Sequence, residues 1–435
     1  MGPSPDPHAP RRILVVAYYF PPMGLSGVQR VSRFVKYLPD FGWHPTVLTV
    51  RPGGYFAFDP TLEADLQRPE IEVVRTRSAD PTRLFRGGRP VTLPREGVRS
   101  AFSTVSQFLL LPDNKIGWYP AAVRTGLRLL REKPYQAILS SAPPYTAHLV
   151  GAALKRRTGL PLVLDFRDDW VGNPRHVYPT PLHRSIQQRQ EHRVMGSADA
   201  VIAINRHILE NLRRRNPGSS AKKGFVIPQG FDPKDFPTGR AHEKGSHFVL
   251  TYTGVFYDAQ RPDVLFRAVA RLVEGVPELR NRIRLEFAGT LPEDSLALAK
   301  ELGILPMIDF RGYLDHAQVV GRMREADVLW MTVGRRPGAE GISTGKLFEY
   351  FGSRKPILAL VPEGEARHAV LEYGASRAVD TDDVGAAAAA IEAFFREWEA
   401  GTLASPAEAF VQRFDRRRLT GELASLCDKL SDRRS

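Results

Sequence analysis

The sequence predicts two doubly wound α/β domains that face each other across a cleft. Short apolar strand patterns alternate with amphipathic helix patterns through most of the chain. The alternation restarts after a stretch rich in Gly, Pro and charge around residues 227–247, and 435 residues suit two cores of about 200 residues each. Ligands of open α/β sheets bind at the carboxyl ends of the strands, so we expect the site in that cleft.

The first domain, assigned to residues 1–237, begins with "RRILVVAYYF" (11–20), a run typical of a strand buried on both faces. After the loop "PPMGLSG", a helical stripe of Val28, Val31, Val35 and Leu38 leads to the strand "HPTVLTV". Further strand patterns are "YQAILSS", "PLVLDF", "ADAVIAIN" and "KGFVIP". Residues 83–111 do not fit the alternation and are predicted to be an insertion, either a membrane-docking element or a helix covering the sheet.

The second domain, assigned to residues 238–405, repeats the pattern. Its strands are predicted at "FVLTYTG", "IRLEFAG", "MIDFRG", "DVLWMTV", "PILALV" and "ASRAVD". The tail, residues 406–435, has apolar residues at helical spacing, and we expect one helix that packs back across the domain junction.

Charge is distributed unevenly between the two halves. Residues 1–240 contain 35 Lys and Arg against 19 Asp and Glu, whereas the rest is slightly acidic within a total of +13. Such asymmetry favours an anionic partner for the first half, namely nucleic acid, an anionic membrane surface or a phosphorylated substrate; an Arg-rich genome is the alternative explanation. One cysteine excludes a disulfide framework, and the absence of a membrane span or secretory signal predicts a cytoplasmic protein, peripheral on the inner membrane face if it docks there.

The stretch "STGKLFEYFGSRKPILAL" (343–360) resembles a phosphate-binding loop but is not a Walker A motif. Counting back from Gly345, the position that requires a glycine holds Glu340, and the position that requires a hydroxyl holds Leu347.

Phosphate chemistry is still expected at this stretch. Ser343, Thr344 and Gly345 precede a helix beginning near Lys346, so free N–H groups and a lysine would meet a phosphate. Glu349 would be repelled by a diphosphate and suits a ribose diol instead. The alternative is that Ser or Thr and Glu349 form a local helix cap.

The strongest polar cluster is "DFRDDW" (165–170), at the end of a predicted strand. Asp168 could orient an acceptor hydroxyl or accept its proton, and Arg167 could hold that carboxylate or a leaving phosphate. The alternative is an internal Arg–Asp pair that only ties down the loop.

Five segments together carry a resemblance to a known family: "FPPMGLSGVQR", "DFRDDW", "VIPQGFD", "YTGVFYDAQRPDVLFRAV" and "STGKLFEYFGSRKPILA". Over residues 11–430 the chain resembles a retaining glycosyltransferase of the GT-B type, with two Rossmann-like domains, in the bacterial group with a Glu-x7-Glu motif. The resemblance implies that a nucleotide-diphospho-sugar binds mainly to the second domain and that closure brings it to an acceptor on the first.

The resemblance also implies donor-binding residues. Glu349 matches the second glutamate of the motif, which holds the ribose, whereas the first falls on Gly341, one residue after Glu340. The family's first basic residue on the diphosphate is replaced by Val255, so that Arg261 and Lys346 would share the pyrophosphate. The implied donor-binding residues are Gly254, Arg261, Tyr313, Leu314, Ser343, Thr344, Gly345, Lys346, Leu347 and Glu349.

On the acceptor side, the resemblance implies the glycine loop of Gly24 and Gly27, with Arg30 and Asp165 beside it. Many relatives have a His or His-Asp where this chain has Arg167 and Asp168, and this pair is predicted to be catalytic. No metal site and no redox cofactor are expected, because the nucleotide sugar carries the high-energy bond. The expected reaction is transfer to a hydroxyl of a lipid-linked or polysaccharide intermediate, with retention. Alternatives are a sugar-nucleotide epimerase, glycosylation of a small-molecule natural product or, with no motif in its favour, a nucleic-acid-binding protein.

Overall fold

The computed structural model describes residues 10–24, 26–53, 59, 61–80, 110–173, 176, 178–219, 223–237, 245–256 and 260–433. The chain forms two compact units: residues 1–228 with 419–435, and residues 229–418. Most of the segment 83–111, predicted to be an insertion, lies outside the described residues. In the part of the chain that is described, no helix is both long and apolar enough to cross a bilayer.

The first unit contains a seven-stranded parallel sheet in the order β3-β2-β1-β4-β5-β6-β7. Its strands are β1 (Arg11–Val16), β2 (Trp43–Val50), β3 (Glu72–Thr76), β4 (Ala137–Ala142), β5 (Leu162–Phe166), β6 (Ala200–Ala203) and β7 (Gly224–Val226). Five of these match predicted strands outright, and β7 lies within "KGFVIP". Sequence analysis did not identify β3, because this partly exposed edge strand, EVVRT, mixes charged and apolar residues.

Helices pack on both faces of this sheet. They are α1 (Ser26–Tyr37), α2 (Thr61–Ala64), α3 (Tyr119–Glu132), α4 (Thr146–Thr158), α5 (Pro181–Ser197) and α6 (Arg206–Arg215). One core lies between the sheet and α3 to α6, and a second lies on the α1 side.

The second unit contains a six-stranded parallel sheet in the order β10-β9-β8-β11-β12-β13. Its strands are β8 (Phe248–Val255), β9 (Ile283–Thr290), β10 (Ile308–Gly312), β11 (Val328–Thr332), β12 (Ile357–Leu360) and β13 (Ser376–Val379). Its helices are α7 (Asp263–Gly275), α8 (Glu293–Glu301), α9 (His316–Glu325), α10 (Gly345–Ser353), α11 (Glu365–Tyr373), α12 (Val384–Ala400) and α13 (Glu408–Gln412). Two parallel α/β units confirm the predicted fold class.

The tail is not the single helix expected from its sequence. It breaks between α13 and α14 (Arg416–Ser431), where the Asp415 carboxylate accepts backbone N–H bonds from Arg417 and Arg418 and caps the second helix. Phe410 and Phe414 pack in a core of the second unit. From Leu419 onward the tail instead belongs to the first unit, where its apolar side chains join the core on the α1 side.

Candidate active site

In the second unit, two glycines open the carboxyl ends of β8 and β9. Gly254 and Gly289 pair across the strands with φ of +106° and +149°. A Cβ on Gly289 would lie 1.9 Å from the Gly254 carbonyl oxygen, so only glycine fits there. A Cβ on Gly254 would lie 3.5 Å from the Lys346 Nζ, so the bare backbone of Gly254 borders the lysine ammonium.

Lys346 lies in the first turn of α10, and its ammonium rests on an aromatic residue. The Lys346 Nζ donates to the Tyr252 hydroxyl and lies 3.8 Å from the centre of the Tyr252 ring. Tyr252 is fixed by stacking on Phe256, with ring centres 4.1 Å apart, and by contact with Trp330. Removal of the ammonium from water lowers the pKa of Lys346 to about 7, and the charge of Glu349 opposes this shift.

Two polar side chains near Lys346 have no hydrogen-bond or ion-pair partner among the residues that the structure describes. Glu349 is half-buried and makes no hydrogen bond or ion pair with any described residue. The Thr344 hydroxyl oxygen is buried and also has no hydrogen-bond partner in the described part of the chain. Thr344 is the N-cap residue of α10 without a side-chain cap bond, so the local cap with Glu349 that sequence analysis left open is not formed. The first turn of a helix also leaves backbone N–H groups without intrahelical partners.

The other predicted donor residues lie on loops of the same unit. The Arg261 guanidinium is held by two carboxylates, at 3.0 Å from Asp263 and 2.8 Å from Asp294. Tyr313 follows β10 and has 74% of its surface exposed, with Leu314 half-buried next to it. Asp380 and Asp382 of the same unit both accept hydrogen bonds from the Arg335 guanidinium.

In the first unit, Arg30 and Asp165 form an ion pair that is buried on both sides, with 1% and 0% of their surfaces exposed. The Arg30 Nη2 lies 2.8 Å from the carboxylate, and its Nη1 donates to the Pro228 carbonyl at 2.7 Å. The Ser141 hydroxyl also donates a hydrogen bond to Asp165. These partners account for both charges, so the pair fixes α1 against the carboxyl end of β5.

Arg167 ties three backbone segments together. Its guanidinium donates to the carbonyl oxygens of Gly27, Ala142 and Pro143. Burial lowers the pKa of Arg167. Arg167 therefore does not form the internal pair with Asp168 that sequence analysis considered. The Asp168 carboxylate is half-buried and makes no hydrogen bond or ion pair within the described ranges.

An aromatic wall lies beside Asp168. Tyr145 and Trp170 stack with ring centres 4.7 Å apart, and His176 meets Tyr145 edge-on. His148 is fully buried, its Nδ1 is 2.8 Å from the Ser140 hydroxyl, and its Nε2 has no partner in the described residues. Burial lowers the pKa of His148 to about 3, so the ring is neutral at physiological pH.

Comparison with known proteins assigns both halves of the chain. Residues 27–230 match the model of the glycosyl transferase 4-like domain, and residues 238–407 match that of the glycosyl transferases group 1. Together these matches cover most of the chain. This chain belongs to the GT-B glycosyltransferases.

Individual relatives of this GT-B protein are distant. It is 29% identical over 181 residues to D-inositol 3-phosphate glycosyltransferase of Streptomyces coelicolor, a stretch that covers 35% of this chain and 38% of that protein. It shares the fold of Anabaena HepE, solved with UDP and glucose, at TM-score 0.64 and 18% identity over 96% of this chain and all of that one. Sucrose-phosphate synthase of Thermosynechococcus elongatus gives TM-score 0.66 at 17% identity, over 97% and 99% of the two chains.

The structure of this GT-B protein brings together only part of each predicted site. Gly254 and Lys346 are adjacent, with Thr344, Gly345, Leu347 and Glu349 on the same loop and helix, although Leu347 points into the core. Arg261 is engaged with acidic neighbours instead. In the first unit, Gly27 contacts Arg167, whereas Arg30 and Asp165 are occupied with each other. Gly24 is buried in the loop before α1, and Ser343 is half-buried ahead of α10.

Sequence reasoning did not single out Tyr252 or His148. Tyr252 lies in an apolar strand pattern, "FVLTYTG", where a tyrosine is typical of core packing. His148 lies in a helix pattern with no metal-ligand spacing. Its position was an available signal, because Tyr252 lies two residues before Gly254, close to the carboxyl end of β8.

Proposed function

We propose that this protein transfers a sugar from a nucleotide-diphospho-sugar to a hydroxyl group of an acceptor. The observation that carries this proposal is the set of unsatisfied groups around α10. Lys346 contacts a hydroxyl and a π-face instead of a carboxylate, and in the described part of the chain neither Glu349 nor the Thr344 hydroxyl has a hydrogen-bond partner. A diphosphate would supply the anion that Lys346 lacks, and a ribose diol would supply donors for Glu349.

The proposed role of this site is stabilisation of the leaving group. Charge builds up on the diphosphate as the bond to the sugar breaks, and a cation with helix N–H groups offsets that charge. Lys346 is half-buried and partly removed from water, so the interaction is stronger than it would be in water. Arg261 would join the diphosphate by leaving Asp263 and Asp294, both exposed pairs that contribute little to stability. Tyr313 and Leu314 would border the base.

For the acceptor side, we propose Asp168 as the residue that orients the incoming hydroxyl. Its carboxylate has no partner in the described part of the chain, and Arg167 beside it fixes the loop through backbone carbonyls. Arg167 would then position the loop and would not hold a phosphate. Retention of configuration, and a lipid-linked or polysaccharide acceptor near a membrane, are the finer parts of the proposal. The name of the Streptomyces relative supports a phosphorylated polyol as the alternative acceptor.

Nucleotide binding tests the donor site. We expect one nucleoside diphosphate, UDP first because HepE was solved with it, to stabilise the protein by about 2.7 kcal/mol at a hundred times its Kd. Glu349→Gln should abolish most of this thermal shift without changing the unliganded Tm. Glu363→Gln, at an 81% exposed side chain in the same unit, is the matched control and should respond like wild type. No response of the wild type to any nucleoside diphosphate would refute the proposal.

Product analysis separates transfer from the alternatives. Incubation with the nucleotide sugar alone should leave it largely intact, and addition of a membrane lipid extract should release the nucleoside diphosphate. Conversion of the sugar nucleotide without any acceptor would identify an epimerase. Release that requires a soluble phosphorylated polyol, and not lipid, would replace the lipid-linked acceptor with a small molecule.

A further inference from the structure

The outer helical layer of the first unit carries a concentration of cations. Helices α3, α4 and α5 lie side by side on one face of the sheet. Their exposed arginines are Arg124, Arg128, Arg131, Arg156, Arg157, Arg184, Arg189 and Arg193. We call these eight side chains the arginine face.

The arginine face has almost no compensating negative charge. Arg128 lies 3.7 Å from Glu132, the one exposed carboxylate on the three helices. Among the described residues, no carboxylate lies within ion-pair distance of the other seven arginines. Glu191 of α5 is buried and belongs to Arg215, and Asp199 belongs to Lys155.

Cations on the opposite side of the same unit are arranged differently. On α1, Arg30 pairs with Asp165, and both Arg33 and Lys36 pair with Asp65. An Arg-rich composition alone would populate both sides alike. The cations of α1 are buried as well as paired, whereas the arginines of the α3 to α5 layer are exposed and, Arg128 excepted, lie beyond ion-pair distance of any described carboxylate.

Several side chains of the arginine face lower the stability of the helices that carry them. Arg124 and Arg128, and likewise Arg189 and Arg193, are like charges four residues apart, a spacing that destabilises a helix. Arg184 lies near the N-terminus of α5, where a positive charge opposes the helix dipole. Dipole complementation accounts for Arg131, Arg156 and Arg157 in last turns, but for none of these.

We propose that the arginine face docks on an anionic lipid surface. Three adjacent helices about 10 Å apart, with α5 about 25 Å long, form a broad face suited to a planar array of head groups. The Phe, Tyr and Trp content of the three helices is limited to Tyr119, which is partly buried against the core, whereas Leu182, 64% exposed at the start of α5, can enter a lipid interface. This inference does not depend on the transfer reaction.

Vesicle sedimentation tests the docking face. Wild-type protein should bind vesicles of phosphatidylcholine containing roughly a third phosphatidylglycerol, and binding should weaken as salt is raised. The variant Arg184→Gln/Arg189→Gln/Arg193→Gln should bind about a hundredfold more weakly, since each arginine contributes about fivefold. Its Tm should not fall, because the substitutions remove repulsion.

The control removes the same charge elsewhere. Arg267, Arg271 and Arg396 are exposed arginines of the second unit, and their triple Gln variant should bind vesicles like wild type. The proposal is overturned if neutral and anionic vesicles bind equally, or if both triple variants weaken binding to the same extent. Binding of duplex nucleic acid at physiological salt that only the α5 variant loses, without vesicle binding, would replace lipid by nucleic acid and also overturn it.

Discussion

The charged groups at the carboxyl ends of the two sheets are satisfied to very different degrees. In the first unit, Arg30, Asp165 and Arg167 are buried. Arg30 forms an ion pair with Asp165, and Arg167 donates hydrogen bonds to backbone carbonyls. In the second unit, Lys346 rests on Tyr252 and Glu349 has no partner among the described residues. A saturated network rigidifies the fold, whereas an unsaturated one is ready for a ligand. Strongly polar sequence motifs therefore do not by themselves locate the binding groups.

The largest expected effect is on the saturated side. Arg30→Met leaves the Asp165 carboxylate charged and buried without its partner, and should lower the free energy of unfolding by about 3–5 kcal/mol. Urea unfolding followed by tryptophan fluorescence measures this. Arg206→Met, at an exposed helix start, is the control, and the double variant Arg30→Met/Asp165→Leu should recover part of the loss. A loss below about 1 kcal/mol would show that the pair is not what holds α1 to β5.

A smaller effect is expected on the unsaturated side, and on binding instead of stability. Lys346→Met removes the ammonium and should weaken UDP binding by about 1.5–3 kcal/mol, or roughly ten- to a hundredfold. The free energy of unfolding should be unchanged or slightly higher, because the variant no longer has to remove the ammonium charge from water. Calorimetric titration gives the affinity, with Lys300→Met, at an exposed lysine of α8, as control. If Lys346→Met unfolds the protein as Arg30→Met should, the contrast between the two sites fails.

The smallest expected effect is a dependence of the diphosphate affinity on pH. Because the pKa of Lys346 is about 7 without ligand, a bound diphosphate should raise it and draw in a proton. Affinity should be full below pH 7 and fall by up to tenfold per pH unit above it, until the pKa of the complex is reached. The groups facing the ammonium are the Tyr252 hydroxyl and the Glu349 carboxylate. Lys346→Arg should bind with little dependence on pH between 7 and 9.

Proton uptake at pH 8 can be read from titrations in two buffers of different ionisation enthalpy. Equal heats in both buffers for wild type would contradict the proposed linkage. A falling affinity that persists in Lys346→Arg would assign the titration to another group.

Hydrophobic periodicity predicted the two parallel units, because buried strands and amphipathic helices leave strong patterns. It failed at β3, where an edge strand is only partly buried, and at Asp415, where a helix cap interrupts an otherwise continuous apolar stripe. The α10 loop could be located from its Ser, Thr, Gly and Lys content. The contact of Lys346 with Tyr252 could not be predicted from the sequence, because it joins residues that are 94 positions apart.

The first unit also holds a lesson about polar motifs. "DFRDDW" contains four charged residues that look equivalent in the sequence. In the folded protein, Asp165 forms an ion pair with Arg30, and Asp169 forms one with Arg215. Arg167 donates hydrogen bonds to backbone carbonyls. Only Asp168 is left without a partner among the described residues. That selection depends on tertiary contacts that no spacing rule encodes.

The division of the tail between two cores determines when the core of the first unit is completed during synthesis. Leu419, Leu423 and Cys427 join Ile13 and Val15 in a core of the first unit, but 190 residues (229–418) are translated in between. At 5–20 residues per second, this core waits about 10–40 s for its last strip of apolar surface. The half of the protein that leaves the ribosome first is therefore the half that is completed last, and a chain truncated before α14 would carry that exposed core for as long as it exists.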